Sequence, residues 1–598
     1  MAPRYAPIPP GMPIFATTLQ SMLPNRQCEK PDIRLVPTSA RWTVALTAAG
    51  ESVVRASRNV VNSGATSWWP SVQVRTAVRK LLVETFQRAR YGGWMASPIV
   101  SEQDGSAADS VVVAESTDGV RDAGIRQSVS ARSAVLMRPR RWDRSWVIAL
   151  AAFTVFATIY ILYAVRRYER LGFTGWDLGI FTQAVKAYSR FEAPIVPLEG
   201  TDVNLMGDHF QPWIALIGPI YRVFPSPLTL LVVQALLFAL AAIPIVRLAT
   251  KRLGSTIGVL IAIAYGLGWG VAHALAFDFH EIALAVPLLA FGLVALVEER
   301  WRAALLYSLP LVFCKEDLGL TVAVLAAVVA FRCGPQSYRW AAGTAAWGLA
   351  WTVLAAKVVI PAFSSADYSY GSKFAESPAE GVRELVLGFA AGDARASTAF
   401  MLLVITVFLA LRSPIALIAV PTIAWRFWST NHLYWSDDYH YDAILMPVMF
   451  VAMVDALITL RRNGRSRRGL TGFAAGAAVI AVVLTAGGPL HRLAERDFYT
   501  PARAAQAVEI LERQIPDGET VAATNNVAPQ LVADHEVTIF PRLDRDRSTP
   551  RWIMVDTDTY GAFPTGQDGV RKALQETLRG GQYREVEKYN SVVLLERR

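Results

Sequence analysis

Residues 145–165 contain no charged side chain, and no other feature limits more strongly what this chain can fold into. Crossing the hydrocarbon layer of a bilayer takes about 20 predominantly apolar residues in a helix. Comparable runs recur. Spans are expected near residues 145–165, 227–249, 256–276, 281–297, 303–314, 318–332, 340–360, 398–411, 414–428, 443–460 and 470–488. Only 18% of the 598 residues are charged, against about 25% in ordinary soluble domains. The expected fold is therefore mainly α, a polytopic helical membrane protein of about 11 spans over residues 137–488.

The net charge of +10 is a matter of loops and implies no nucleic-acid partner. Lys and Arg collect on the cytoplasmic side of membrane proteins. With Arg138, Arg140, Arg141 and Arg144 inside, the alternate loops bring Lys251 and Arg252, Arg300 and Arg302, Arg332 and Arg339, Arg412 and "RRNGRSRRG" (461–469) to the same side. This places the N-terminus in the cytoplasm and residues 489–598 outside it. The pattern needs two separate short spans around "KEDLG", since a single crossing there would invert every later loop.

Residues 1–136 show no sustained apolar period and no charged segment leading into an apolar one, so they read as a disordered extension without a signal peptide. Met137, opening "MRPRRWDRSW", is a candidate translation start. Residues 489–598 alternate helical and strand patterns, with "PARAAQAVEILERQI" and "GVRKALQETLRG" as helices and "TVAATNN", "EVTIFPR", "RWIMVDT" and "SVVLLERR" as strands. A small α/β domain is expected there. It has no GxGxxG or P-loop pattern. Cys28, Cys314 and Cys333 form no metal or disulfide framework.

The outward loops and span ends hold the unusual residues. These are Asp177, Asp208 and His209 in "GDHFQP", Asp278, His280 and Glu281 in "FDFHE", Lys315, Glu316 and Asp317 in "KED", and His432, Trp435, Asp437, Asp438 and His440 in "NHLYWSDDYHY". Acids and imidazoles beside hydrocarbon are costly unless they face a watery cavity or a partner, so one shared cavity is expected. Each group also has a structural reading. Asp177 can cap the helix that follows it. That helix sets Leu178, Phe181, Val185 and Tyr188 against Thr182, Gln183, Lys186 and Ser189, as a helix lying on the bilayer surface would. Asp278 and Glu281 have capping-box spacing, and Asp208-His209 suits a metal or catalytic pair as well as a structural hydrogen bond near a helix start. The acids and rings of residues 432–442 suit either a sugar or an interfacial belt. Arg426, Lys357, Arg222 and Lys315 are outer-half cations; Arg426 can hold a lipid phosphate or snorkel to the headgroups.

The ordered motifs "WDLGIFTQAV", "GDHFQPWIALIGPIYRVFPSPLTLLVVQALLFALAAIPIVRLA", "AYGLGWG…FDFHEIALAVPLLAFGLVAL" and "CKEDLGLTVA" resemble the bacterial membrane family named domain of unknown function 2079, over roughly residues 145–460. That family in turn resembles the GT-C membrane glycosyltransferases, which use polyprenyl-phosphate sugars. The resemblance implies a plasma-membrane enzyme with a polyprenyl-phosphate sugar donor and a glycan, lipid or protein acceptor. It implies Asp177, in the first outer loop, as the catalytic acid residue, with Asp208 and His209 positioning the acceptor or tuning that base. Many GT-C enzymes carry paired acids there. Here Asp177 stands between Trp176 and Leu178, which favours simple base catalysis. No cofactor is assigned, and a divalent metal is left open. A transporter or lipid flippase also needs ionisable groups in a membrane cavity, and a non-catalytic envelope scaffold would account for the soluble tail.

Overall fold

The computed structural model describes residues 143–364, 377–541, 549–558 and 565–598. The expectations for residues 1–136, and for a start at Met137, lie outside the described residues.

The first uncharged run forms the helix Arg144–Tyr168, whose start is fixed by Asp143: its carboxylate accepts from the Ser145 N–H and hydroxyl. Among the described residues, six helical runs are long and apolar enough to cross a membrane: Arg144–Tyr168, Pro227–Leu253, Ser255–Phe277, Pro335–Phe363, His440–Arg462 and Arg467–Gly487. Four other expected spans are shorter, at Ile282–Val297, Trp301–Phe313, Leu318–Cys333 and Pro414–Trp428. At 1.5 Å per residue these fall short of the ~30 Å layer. The two around "KED" stay separate helices, and their joint reaches the cavity described below.

The span expected at 398–411 is corrected. Its helix, Ala394–Val404, stops where Val407 and Phe408 adopt φ of 51° and 59°, a left-handed conformation costly for bulky and β-branched residues. The apolar length is made up on the other side, where Ala379–Ala391 joins Ala394–Val404 at a 67° bend.

His440–Arg462 is the central helix, with 89% of its apolar window buried, whereas Pro335–Phe363 at 17% and Arg467–Gly487 at 28% present their sides outward. The central helix carries an acid, Asp455, which takes both guanidinium arms of Arg332 at 2.7 and 3.0 Å and the Ser413 hydroxyl at 2.7 Å. An acid at this depth is tolerable because its oxygens are paired.

Beyond Gly487 the chain forms five strands, β1 (Thr520–Ala523), β2 (Glu536–Ile539), β3 (Trp552–Asp556), β4 (Tyr583–Tyr589) and β5 (Val592–Arg597). They make one mixed sheet in the order β2-β1-β3-β5-β4. β1 runs parallel to β2 and β3, while β5 is antiparallel to β3 and β4. Alternate side chains point to opposite faces. Ala522, Ile553, Val555 and Val593 pack on Val570 and Leu574 of the helix Gly566–Arg579. Val521, Ala523, Met554 and Leu594 share a core with Val508 and Leu511, and also with Leu178, Phe181 and Val185.

The last contact corrects the surface-helix reading of Ile180–Ser189. Its apolar stripe is buried in protein, and its polar side is bonded to the C-terminal domain: Gln183 Nε2 donates to Val537 O at 2.8 Å and Lys186 Nζ to Val532 O at 3.0 Å. Both faces have protein partners, so neither is left to lie on lipid.

Candidate active site

One end of the helical bundle encloses a cavity of about 890 Å³. Asp177, Asp208, His209, His280, Glu281, Lys315, Glu316, Asp317 and His440 all line it, arriving from five separate stretches of chain. The geometry of each explains what it can offer there.

Asp177 lies within a single π-helical turn, Gly175–Gly179, a distortion common at functional sites. The cap reading does not hold. The next helix starts from Gly179 with no side-chain cap. The Asp177 carboxylate instead meets His280 Nε2 at 3.2 Å, with 28% of the side chain exposed. The His280 ring stacks on His440, with centroids 3.4 Å apart, and on Phe277 at 5.3 Å. Its backbone N–H donates to Gln234 Oε1 at 3.0 Å, and Gln234 Nε2 donates to Asp278 O at 2.9 Å, which fixes the corner carrying the imidazole.

Asp278 does not line the cavity. Its carboxylate accepts the Thr174 N–H at 3.0 Å and hydroxyl at 2.9 Å. Burial, with the nearby Asp177 charge adding to it, pushes its carboxyl well above the usual range. The expected capping box is absent as well: Glu281 is itself the residue at the helix start, before Ile282–Val297, and caps nothing with its side chain. Glu281 pairs with Lys315 at 2.6 Å. Burial opposes its charge, but Lys315, His280 and His209 prevail and hold it down to about 2.

Glu316 takes His209 Nδ1 at 2.7 Å and the Phe210 N–H at 3.1 Å, while Asp208 stands 3.6 Å from His209 Nε2. Asp317 Oδ2 accepts from Trp425 Nε1 at 2.9 Å, and its buried Oδ1 has no hydrogen-bond partner among the described residues. Burial raises the Asp317 carboxyl to about 6.

Arg426 is displaced from its expected role. Fully buried, it forks onto Asp442 at 2.7 and 3.2 Å and donates to Tyr434 O and Ser436 O. It neither snorkels nor reaches the cavity. His432, Trp435, Asp437 and Asp438 also lie off the cavity. His432 is exposed. The Trp435 ring carries the Arg395 guanidinium at 3.5 Å. Asp437 O accepts from His273 Nδ1 at 2.6 Å, and Asp438 accepts from the Ser436 hydroxyl at 2.9 Å.

The aromatic rings on the cavity wall are Trp176, Phe181, Trp425, Tyr434 and Tyr441 instead. Lys357 lines it too and has no carboxylate in ion-pair range among the described residues. Sequence reasoning gave no role to Gln211. It is fully buried on the cavity wall, and neither atom of its amide has a partner among the described residues. Its place in "GDHFQP" was the available signal, but a neutral amide carries no charge to flag it.

His209 gives a pH test of this wiring. Burial works against its charge, yet Glu316 and Asp208 lift the imidazole from 6.5 to about 9. A raised basic group stabilises the fold fully below its unfolded value and loses that contribution as pH rises through its folded one. The thermal unfolding midpoint should therefore fall between pH 6.5 and about 9. Glu316→Gln should flatten that decline; parallel declines in the two proteins would exclude the coupling.

A family model described as "Predicted membrane protein (DUF2079)" matches residues 167–594, so the matched region runs into β5, the last strand of the C-terminal sheet. No curated protein matches the chain. Among solved structures, ArnT from Cupriavidus metallidurans bound to undecaprenyl phosphate is similar at 13% identity and a TM-score of 0.44, covering 75% of this chain and 97% of that one. The same protein in the apo state gives 12% identity and a TM-score of 0.45, covering 76% and 98%.

Proposed function

This chain belongs to DUF2079, a family of predicted membrane proteins, and on that premise we propose that it is an integral-membrane glycosyltransferase. It moves a sugar from a polyprenyl-phosphate donor to a glycan, lipid or protein acceptor of the bacterial envelope. The cavity faces the extracytoplasmic side of the plasma membrane, and the N-terminus lies in the cytoplasm. One observation carries the reading: the partly exposed Asp177 carboxylate opens into the same large cavity as Lys357.

Asp177 accepts the proton of an acceptor hydroxyl as that oxygen attacks the anomeric carbon. The bond from that carbon to the phosphate oxygen breaks, and its electron pair leaves with the lipid phosphate, inverting the sugar. Lys357 offsets the charge developing on the phosphate. The Gln211 amide and Asp317 Oδ1, whose hydrogen bonds are unmet among the described residues, suit a hydroxyl-rich ligand, since a buried polar group left unpaired is costly. Flat rings such as Trp425 and Tyr441 suit the apolar face of a pyranose.

The test is transfer from polyprenyl-phosphate sugars in proteoliposomes. Sugar release that depends on acceptor supports the reading. Movement of the lipid across the bilayer without release would make the protein a transporter, and neither result would leave a scaffold. Lys357→Gln should lower kcat/KM roughly tenfold or more, the worth of one charge-assisted hydrogen bond, and Lys357→Arg should recover most of it. Equal loss in both variants would remove Lys357 from phosphate binding.

A further inference from the structure

The loop leaving β1 is placed where open α/β sheets ordinarily bind ligands. β1 has parallel neighbours on both sides, β2 and β3, so successive connections depart in opposite directions and leave a crevice at the carboxyl ends of the strands. The rim of that crevice is tightly knit. Thr524 N donates to Met554 O, the Thr524 hydroxyl accepts from Asp556 N at 3.1 Å, and Asn526 Nδ2 donates to Asp556 Oδ2 at 2.8 Å.

Asn525, between Thr524 and Asn526, bonds to the membrane-side loop. Its carbonyl accepts the Gly175 N–H at 2.7 Å, and its Oδ1 accepts the Trp176 N–H at 3.0 Å. These are among the free donors that open the π turn, and they need acceptors from elsewhere. Gly175 is required for the approach, because a Cβ there would come within 2.8 Å of the Ala528 Cβ. From the opposite side, Asp278 takes the Thr174 N–H. Three consecutive N–H groups are thus held from two directions, and Asp177 follows directly.

We propose that the C-terminal sheet grips the Asp177 turn in its strand-end crevice, with Asn525 as a positioning residue that sets where the carboxylate stands in the cavity. The importance of that carboxylate rests on the transferase reading; the grip does not. A domain joined more than 300 residues later in the chain thereby decides whether the site is assembled. Asn525 reaches the cavity only through the backbone of residues 175 and 176, so its loss acts on geometry and leaves substrate contacts intact.

Full-length protein in nanodiscs tests this with two readouts. In Asn525→Leu, amide exchange at residues 175–176 should quicken by about tenfold or more. Its kcat should fall about 10- to 100-fold, the cost of misplacing a reacting group by about 1 Å, with donor KM unchanged. Asn525→Asp keeps the acceptor oxygen and should restore both exchange protection and kcat. If the leucine variant does not fold, Gly175→Ala carries the test through its clash with Ala528. Unaltered exchange in Asn525→Leu, or a change confined to KM, would overturn the proposal. Faster exchange with no sugar transfer by any protein, wild type included, would uphold the grip and discard the transferase.

Discussion

On the proposed transferase reading, Asp177→Asn is expected to lower sugar transfer about 10²- to 10⁴-fold, the usual contribution of a general base, while the protein inserts and folds as before. The substitution is nearly isosteric, and the side chain is partly exposed, so little packing is at stake. What disappears is the capacity to take a proton. Three of the other carboxylates around the cavity are already engaged. Glu281 is neutralised by Lys315 at 2.6 Å, Glu316 is held by His209 at 2.7 Å, and Asp317 accepts from Trp425 Nε1 at 2.9 Å. Asp208 is the informative control. It is 39% exposed and only 3.6 Å from His209, so Asp208→Asn should cost less than about tenfold, in keeping with loss of an exposed pair. The measurement is single-turnover transfer with wild type and both variants at matched protein levels. Asp177→Asn turning over within about tenfold of wild type, or Asp208→Asn proving the more damaging, would remove Asp177 as the base.

Much of this arrangement was open to sequence reasoning because its cost is visible there. Asp177, "GDH", "FDFHE" and "KED" interrupt or border apolar runs, where an ionisable group needs a cavity or partner. The structure brings all four stretches to one cavity. Which groups face inward was much less legible. Asp278 and His280 are two residues apart, yet one binds the Thr174 backbone and the other lies against Asp177. That division follows from a tight corner pinned by Gln234, more than 40 residues earlier. Arg426 looked like a free cation because its partner Asp442 stood within a cluster of acids and rings that equally suited a sugar. β4, "YREVEKY", was missed because it is an edge strand with mostly exposed charged side chains and little apolar alternation. The break at Val407 and Phe408 has no local signal, since neither residue favours the left-handed region.

Removing Arg426 should be the most destabilising single change at this end of the protein. Arg426 and Asp442 are both fully buried and joined by two hydrogen bonds. The same guanidinium satisfies Tyr434 O and Ser436 O, so it ties the 434–442 loop to the helix Val420–Trp428. Arg426→Leu leaves a buried carboxylate without its counter-charge, a loss of about 3–5 kcal/mol. Lysine is a poor substitute, because a single ammonium cannot reproduce the planar fork. Replacing both partners with leucine should recover much of the loss, because the expense of a broken buried pair lies mainly in the charge left behind. Thermal unfolding in detergent reads all three variants. The buried pair predicts a large fall for Arg426→Leu, a partial fall for Arg426→Lys and recovery in the double variant. A phosphate-binding arginine predicts the reverse: normal unfolding of Arg426→Leu with weakened donor binding. That outcome would return Arg426 to the substrate and require the 434–442 loop to open in the working protein.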